Sequence, residues 1–513
     1  KNYLHIKLGR EGENMNEDFY GDENIEEYMQ QKERLDAKAI SGLPSIIERF
    51  YKSASEVSLR NEMPAAISAF VILGNICKDF VRIPNNRNIE DSRIHFCWIQ
   101  TSGTGKSTLW NFVGPVADKT FEMINQHRPS HPSFTRKDGI EMPRKYDIFG
   151  VTDYTDSVLI GKWKQTKNED NEDEMKRQAG ILEGSGLAHW DEFEYSGIFK
   201  QSQHKEQSIV YLNTLMNSLA GKSWVISKAL DSMEGMTMNC YSERSVIAMT
   251  YPPKNLNEVM AEKGVLQRML LYVWEVPFHT QRQMRLEQIQ FAGTYSDVDA
   301  PIDKFAEGFY KIYQMVRERW NDVGQDPLKT LVFHESYVPT LILEYNRLEK
   351  ELMNCPPHVA ELASNFLTRL TQMMMKLAAL CCIGESADIV KPEERFIVKG
   401  VHVQAAGKIV QNCYSQLVGW LERSLRAKRK QMHEKSLETT FIAIYENIKS
   451  GKFSNIKTDE AGFVNKNLYL TQVREKAKIS RAQIYRHYEV VRHRFEEIKE
   501  GRSWYVRLLE SDE

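Results

Sequence analysis

One stretch constrains this chain more than any other. Residues 93–99, Arg-Ile-His-Phe-Cys-Trp-Ile, read as a buried strand that runs into Gln100-Thr101-Ser102-Gly103-Thr104-Gly105-Lys106-Ser107-Thr108, a glycine-containing loop opening a helix. Strand, tight loop and helix in that order aim several backbone N–H groups at one spot, at the positive end of the helix dipole, which favours an anion. Thr101 to Thr108 are the residues that would wrap a chain of phosphates, with Lys106 reaching the β and γ oxygens and the Ser107 hydroxyl holding Mg²⁺. The usual pattern starts on a glycine, and Gln100 stands in its place.

A magnesium-bound triphosphate also needs acids at the end of a neighbouring strand. The run Gly186-Leu187-Ala188-His189-Trp190 ends in Asp191-Glu192. Asp191 is the metal-side acid in this reading, and Glu192 the general base that polarises the attacking water. Residues 244–250, Arg-Ser-Val-Ile-Ala-Met-Thr, read as a further buried strand, and the hydroxyl of Thr250 at its end is suited to positioning that water. Arg268 sits inside the apolar run Gly264–Leu270. A charge there is costly without a counter-charge. Either the γ-phosphate on a neighbouring subunit or an internal carboxylate would supply one.

A chain of 513 residues exceeds what one core usually holds, so two or three domains are expected. The composition is that of a globular protein, 42% hydrophobic and 27% charged, and no stretch of about 18 apolar residues stands out as a membrane span. The start lacks a signal-peptide layout and an initiator Met, which suggests a piece of a longer polypeptide. Seven scattered cysteines without C-x-x-C spacing are expected to be reduced, in the cytoplasm, and not to form a structural zinc site.

Along the chain, residues 1–42 read as an acidic tail or linker. Helices begin near Leu43, and Met63–Phe80 reads as a buried helix. Gly161–Gln178 is a mixed-charge surface loop in this reading, residues 301–420 an all-helical lid, and 421–436 a basic helix or linker. Residues 437–513 follow the order of a winged helix: a helix at Leu437–Lys449, helices starting at Thr471 and Ser480, then a hairpin of Phe495–Lys499 and Ser503–Leu508. Net charge is only −2, yet Thr471–Arg507 holds ten Lys and Arg against five acids, which favours a polyanion. Ile484, Tyr488 and Val491 recur at helical spacing and should face the core. Ala482, Gln483, Arg486 and His493 then face outward, and with Arg481 and Arg494 they are the candidate DNA contacts. A protein-docking winged helix is the alternative.

From about Pro64 to Leu417 these elements resemble the helicase-like P-loop ATPase family of phage and plasmid primase-helicase proteins, itself similar to minichromosome-maintenance and superfamily-three helicases. The resemblance rests on the phosphate loop, on residues 152–159, on Asp191-Glu192, on Leu219–Lys222, on Gly264–Leu270, and on Arg369 and Lys376 seven residues apart. It implies an α/β fold: an AAA+ P-loop ATPase core with a helical N-terminal segment, an all-helical lid and the C-terminal winged helix. It also implies contact to ATP by Arg369, and single-stranded or forked DNA as partner, with a primase or polymerase as a further candidate; ATP and Mg²⁺ are expected from the loop and acids, and a homo-oligomeric ring, expected to be a hexamer, follows from Arg268 acting on a neighbouring subunit. Residues 222–228 and 236–240, two short strands about a turn, resemble the pore hairpin of such rings, with Lys222 and Lys228 on DNA phosphates or merely solvated. The expected activity is that of an ATP-dependent DNA helicase in replication of a phage, plasmid or mobile element, in the cytoplasm of a bacterial or archaeal host. An ATP-switch origin-binding factor and a packaging or transposition ATPase are the alternatives; Glu192 argues against a pure switch, which needs no hydrolytic base.

Overall fold

The computed structural model describes residues 22–85, 88–127, 134–135, 141–142, 146–151, 159–167, 173–180, 182–193, 206–219, 224–229, 237–252, 264–290, 299–453, 456–477 and 481–509. They fall into two compact units, one up to Trp420 and one from Leu421.

The first unit is mixed α/β around a parallel sheet. Its strands are β1 (Phe96–Gln100), β2 (Tyr146–Val151), β3 (Gly184–Trp190), β4 (Trp224–Ala229), β5 (Thr237–Thr250) and β6 (Leu270–Trp274). Five of them lie in the order β6-β1-β5-β3-β2 with every neighbouring pair parallel, and β4 runs antiparallel along the first part of β5. β1 and β6 are buried at all positions, as parallel strands covered on both faces must be. The helices before the glycine loop are α1 (Asp22–Ala39), α2 (Ser45–Val57) and α3 (Glu62–Cys77). α3 is buried from Met63 to Cys77 and packs on β1, β3 and β5; having no polar face, it is stable only inside a core. The loop opens α4 (Lys106–Gln126), which packs against β2.

Several expectations need correction. The acidic segment is helical from Asp22 onward, and it is docked. Lys32 donates to Asp36 at 2.5 Å and to the Tyr272 hydroxyl at 2.6 Å, while Asn412 donates to the other Asp36 oxygen at 2.6 Å. An apolar periodicity misses this helix because its inward positions are charged and satisfied by partners hundreds of residues away. The mixed-charge segment forms two antiparallel strands, Gly161–Lys167 and Asp173–Ala179, whose backbones bond to each other without any need for an apolar face. The three short strands expected between residues 222 and 250 are only two, because β5 runs unbroken for 14 residues.

The rest of this unit is mostly helical: α5 (Glu206–Leu215), α6 (Phe278–Gln290), α7 (Asp299–Asp322), α8 (Tyr337–Met353), α9 (Pro357–Ser386) and the start of α10 (Gly400–Lys449). Short strand pairs join Arg82–Asn85 to Asn88–Asp91, Phe134–Thr135 to Glu141–Met142, and Val332–Phe333 to Ile397–Val398, so the lid expected to be all-helical holds a small parallel pair. Contrary to expectation, a window of α9 is apolar enough to cross a membrane, but 78% of that window is buried inside the protein. The basic segment 421–436 lies within α10, so it is helix throughout.

The second unit adds β7 (Val464–Asn465), α11 (Lys466–Ala477), α12 (Arg481–Val491), β8 (Phe495–Glu500) and β9 (Ser503–Leu508), with an antiparallel sheet in the order β7-β9-β8. α11 starts five residues before the expected Thr471, capped by the Asn465 side chain, which accepts from the Asn467 and Leu468 N–H groups. Phe441, Tyr445, Tyr469, Ile484, Tyr488, Val491, Phe495 and Val506 form its core.

Candidate functional site

Parallel strands put their carboxyl ends on one edge, where α/β sheets bind ligands. Register pairs Thr250 with Ile99 across β5 and β1, and Ala248 with Trp190 across β5 and β3. The glycine loop, Thr250 and the pair Asp191-Glu192 therefore emerge side by side. At about 4.8 Å per strand, loop and acids stand roughly 10 Å apart with Thr250 between them.

The loop takes its shape from Gly103 (φ +73°) and Gly105 (φ +89°), in the left-handed region that strains other residues. Gly105 caps α4, and Lys106 folds back so that its ammonium donates to the carbonyls of Gln100 at 2.5 Å and Thr101 at 3.2 Å. Ser102, Gly103 and Ser107 are exposed, Thr101, Gly105, Lys106 and Thr108 are half-buried, and Thr104 is buried.

Gln100, where the motif has glycine, proves to be scaffold. Its buried amide donates to Thr104 Oγ1 at 2.8 Å and Asn61 Oδ1 at 3.1 Å, and accepts from Trp98 Nε1 at 2.6 Å. Asn61 donates to the Thr104 carbonyl at 3.0 Å, and Ser58 donates to the Gly105 carbonyl at 2.9 Å. From the other side the Val276 N–H donates to Thr101 Oγ1 at 2.9 Å. Neutral side chains thus hold the loop from behind, and the Lys106 ammonium braces it from within.

Asp191 is half-buried and Glu192 exposed. Glu192 has φ +52°, a left-handed conformation rarely adopted by a residue with a side chain, and its N–H donates to Asp191 Oδ1 at 3.1 Å. Such strain persists where the surroundings impose it, often at functional sites. Thr250 is buried, its hydroxyl donating to the Tyr251 carbonyl at 3.1 Å. His189, just before the acids, stacks on Trp110 of α4 at 3.7 Å, and burial lowers its pKa to about 4.

Arg268 lies elsewhere. It precedes β6, whose register pairs Leu270 with Phe96 and Trp274 with Gln100, so it stands at the amino edge of the sheet, roughly 15 Å or more from the loop of its own chain. Its guanidinium donates to Asn217 Oδ1 at 3.0 Å, Asn213 Oδ1 at 3.0 Å and the Gly264 carbonyl at 2.9 Å. All three partners are neutral. Burial, then the nearby charge of Arg369, push its pKa down. Arg369, which donates to Gln372 at 3.0 Å, is near enough for its charge to bear on Arg268, and the helix that carries it packs on residues 266–268. Lys376, by contrast, is buried in an internal pair with Glu90 at 3.5 Å.

In the second unit Ile484, Tyr488 and Val491 face the core, while Gln483, Arg486 and His493 are exposed. Arg486 pairs with no carboxylate among the described residues, whereas Arg494 lies 3.1 Å from the Glu438 carboxylate. Arg481 opens α12, but its side chain, like that of Ala482, is outside the described residues, as are Lys222 and the turn 230–236. Lys228 lies in β4 opposite Met238, its side chain likewise outside them.

Sequence reasoning missed Ser58 and Asn61 behind the loop and Asn213 and Asn217 around Arg268. Each is an ordinary polar residue in its local sequence, so only the fold gives it a role. The chain matches no protein-family profile and no curated protein sequence.

Proposed function

We propose that this chain is an ATP-hydrolysing AAA+ motor, a DNA helicase that works as a ring, with a winged helix as its second unit. One observation carries the reading: the ends of three adjacent parallel strands present an anion-cradling loop, a hydroxyl and an acid pair on one edge. Backbone N–H groups of the loop and Lys106 bind the β and γ phosphates of ATP. The exposed Ser107 hydroxyl and the Asp191 carboxylate are hard oxygen donors of the kind Mg²⁺ takes, and the ion would neutralise phosphate charge there. Glu192 takes the proton of the attacking water, which the Thr250 hydroxyl orients.

Arg268 stands too far from its own loop to reach the same ATP, and its neutral partners leave its charge uncompensated. A second copy's γ-phosphate is the partner that fits, with Arg369 beside it, and this requires a ring, taken as hexameric. The hairpin of β4 and β5, with Lys222 and Lys228, faces DNA in the channel in this reading, and α12 presents Gln483, Arg486 and His493 to the duplex. Replication of a phage, plasmid or mobile element in a bacterial or archaeal cytoplasm, alongside a primase or polymerase, is the setting the resemblance supports.

The test is strand displacement from a forked duplex with ATP and Mg²⁺, with Glu192→Gln as control. The wild-type chain should separate the strands, and the variant should bind ATP without turnover. ATP turnover without displacement would shift the reading to an assembly or packaging ATPase.

A further inference from the structure

We propose that Arg285, on α6, is the cation with which each chain contacts the terminal phosphates of its own nucleotide. The inference rests on the nucleotide site proposed above and deepens it. The resemblance assigns such a contact to Arg369, whose helix packs on residues 266–268 beside Arg268.

Two connections bring α6 to the loop. β6 ends beside β1, where the Thr101 N–H donates to the Trp274 carbonyl at 3.3 Å, and two residues on the Val276 N–H donates to Thr101 Oγ1 at 2.9 Å. α6 begins immediately afterwards, at Phe278. Two turns along it, Arg285 Nη2 comes within 3.8 Å of where a Cβ on Gly103 would stand. Gly103 is the exposed left-handed glycine at the crest of the loop. Any side chain there would be strained, with its Cβ in ordinary contact with the guanidinium.

Charge supports the same conclusion. Arg285 is exposed and pairs with no carboxylate among the described residues, and Arg282, one turn earlier, is exposed as well. The guanidinium stands beside Gly103, where it can add its donors to the N–H groups of the loop. Donors converging in this way suit an anion with several oxygens, and a planar guanidinium can hold two of them. Lys106, folded against the Gln100 and Thr101 carbonyls, reaches the phosphates from within the loop, while Arg285 comes from outside it. The terminal phosphate, the one ADP lacks, is the group an outer cation would grip.

The experiment compares the full chain with Arg285→Ala, Arg285→Lys and Lys106→Ala, measuring affinity for fluorescent ATP and ADP and steady-state turnover. Arg285→Ala should lose about 10- to 100-fold in its preference for ATP over ADP, the size of one charge-assisted contact, and turnover should fall with it. Arg285→Lys should recover part of both, and the exposed position predicts unchanged thermal melting. Mixed with Lys106→Ala subunits, Arg285→Ala should regain no turnover, because both residues serve the same site. An unchanged ATP-to-ADP ratio and turnover in Arg285→Ala, with Lys106→Ala inactive, overturns the inference and leaves the nucleotide site standing. Recovery on mixing overturns the same-chain assignment. A wild-type chain that binds neither nucleotide overturns both readings.

Discussion

The two edges of the parallel sheet use polar groups in opposite ways. At the carboxyl edge the loop is held from behind by amides and hydroxyls, Gln100, Asn61, Ser58 and Thr101, and the Lys106 ammonium rests on carbonyls of the loop. At the amino edge arginines are buried among carbonyls and acids. Arg93 pairs with Asp91 at 3.1 Å and donates to the carbonyls of Arg244 and Asn217. Arg244 pairs with Asp147 at 2.5 Å and donates to the carbonyls of Glu183, Ser185 and Leu187. Arg268 breaks that pattern, having amides and a carbonyl but, among the described residues, no acid. A buried charge matched to a carboxylate is committed to the fold, while one held by neutral groups still has its charge to offer. Asn217 joins the two kinds, since its carbonyl accepts from Arg93 and its side chain from Arg268.

The largest effect separates the edges outright. Lys106→Ala should lose nearly all ATP turnover by removing the cation at the carboxyl edge, and Arg268→Ala should lose at least about 1,000-fold, as arginine fingers do. Mixing the two inactive variants should restore part of the activity, because some interfaces then pair an intact loop with an intact Arg268. ATPase measured across mixing ratios decides the matter. No recovery in verified mixed oligomers would make Arg268 a structural residue like Arg93.

Next comes the cost of unbalancing the amino edge. Burial alone would push the Asp91 carboxyl up, but Arg93, with Lys376 and Arg82, holds it well below the usual carboxylate range. Asp91→Asn leaves Arg93 buried without its counter-charge, and should cost about 3–5 kcal/mol. Urea denaturation at neutral pH reads this. A loss under about 1 kcal/mol would mean that the carbonyl partners suffice, and the distinction between committed and available arginines would fail.

How much of this was legible before folding follows from how local each feature is. A strand, a glycine loop and a helix are contiguous, so Thr101–Thr108 could be read directly, and Asp191-Glu192 followed from an apolar run that ends in acids. The parallel order that aligns them was not legible, because strand pairing joins segments far apart in the sequence. Ser58, Asn61 and Asn217 meet their partners only through long-range contacts, and nothing in their neighbours marks them. α1 was hidden because Lys32 and Asp36 face inward, the reverse of what composition suggests. The role of Gln100 was hidden by the motif itself, which made it look like a defect.

A smaller effect concerns pH at the carboxyl edge. His189 is buried against Trp110, and burial lowers its pKa from 6.5 to about 4. Between those values the unfolded chain takes up a proton that the folded chain refuses. The contribution of neutral His189 is therefore complete above about pH 6.5 and shrinks as pH falls toward 4, by up to about 3 kcal/mol. His189→Phe keeps the stack and removes the titration. Its stability, measured by denaturation from pH 7 to 4, should fall less steeply than that of the wild type. Parallel curves would show that His189 takes its proton without leaving the core.

The smallest effect carries the comparison into the second unit, where the same rule separates two arginines of similar sequence context. Arg486 is exposed on α12 with no acid paired to it among the described residues, while the Arg494 guanidinium already lies 3.1 Å from the Glu438 carboxylate. If an arginine without an acid is the one available to a polyanion, Arg486→Ala should weaken duplex binding and lower the log–log salt slope by roughly 0.9, the share of one phosphate contact. Arg494→Ala should leave the slope unchanged, since removing a pair that is already neutral releases no counterion from DNA. Basal ATPase should survive both, because every nucleotide-site residue lies in the other unit. Binding isotherms at several salt concentrations separate the outcomes. A slope lowered by Arg494→Ala and not by Arg486→Ala would mean that the Glu438 pair opens on DNA, and that pairing in the free protein does not mark which arginines are committed.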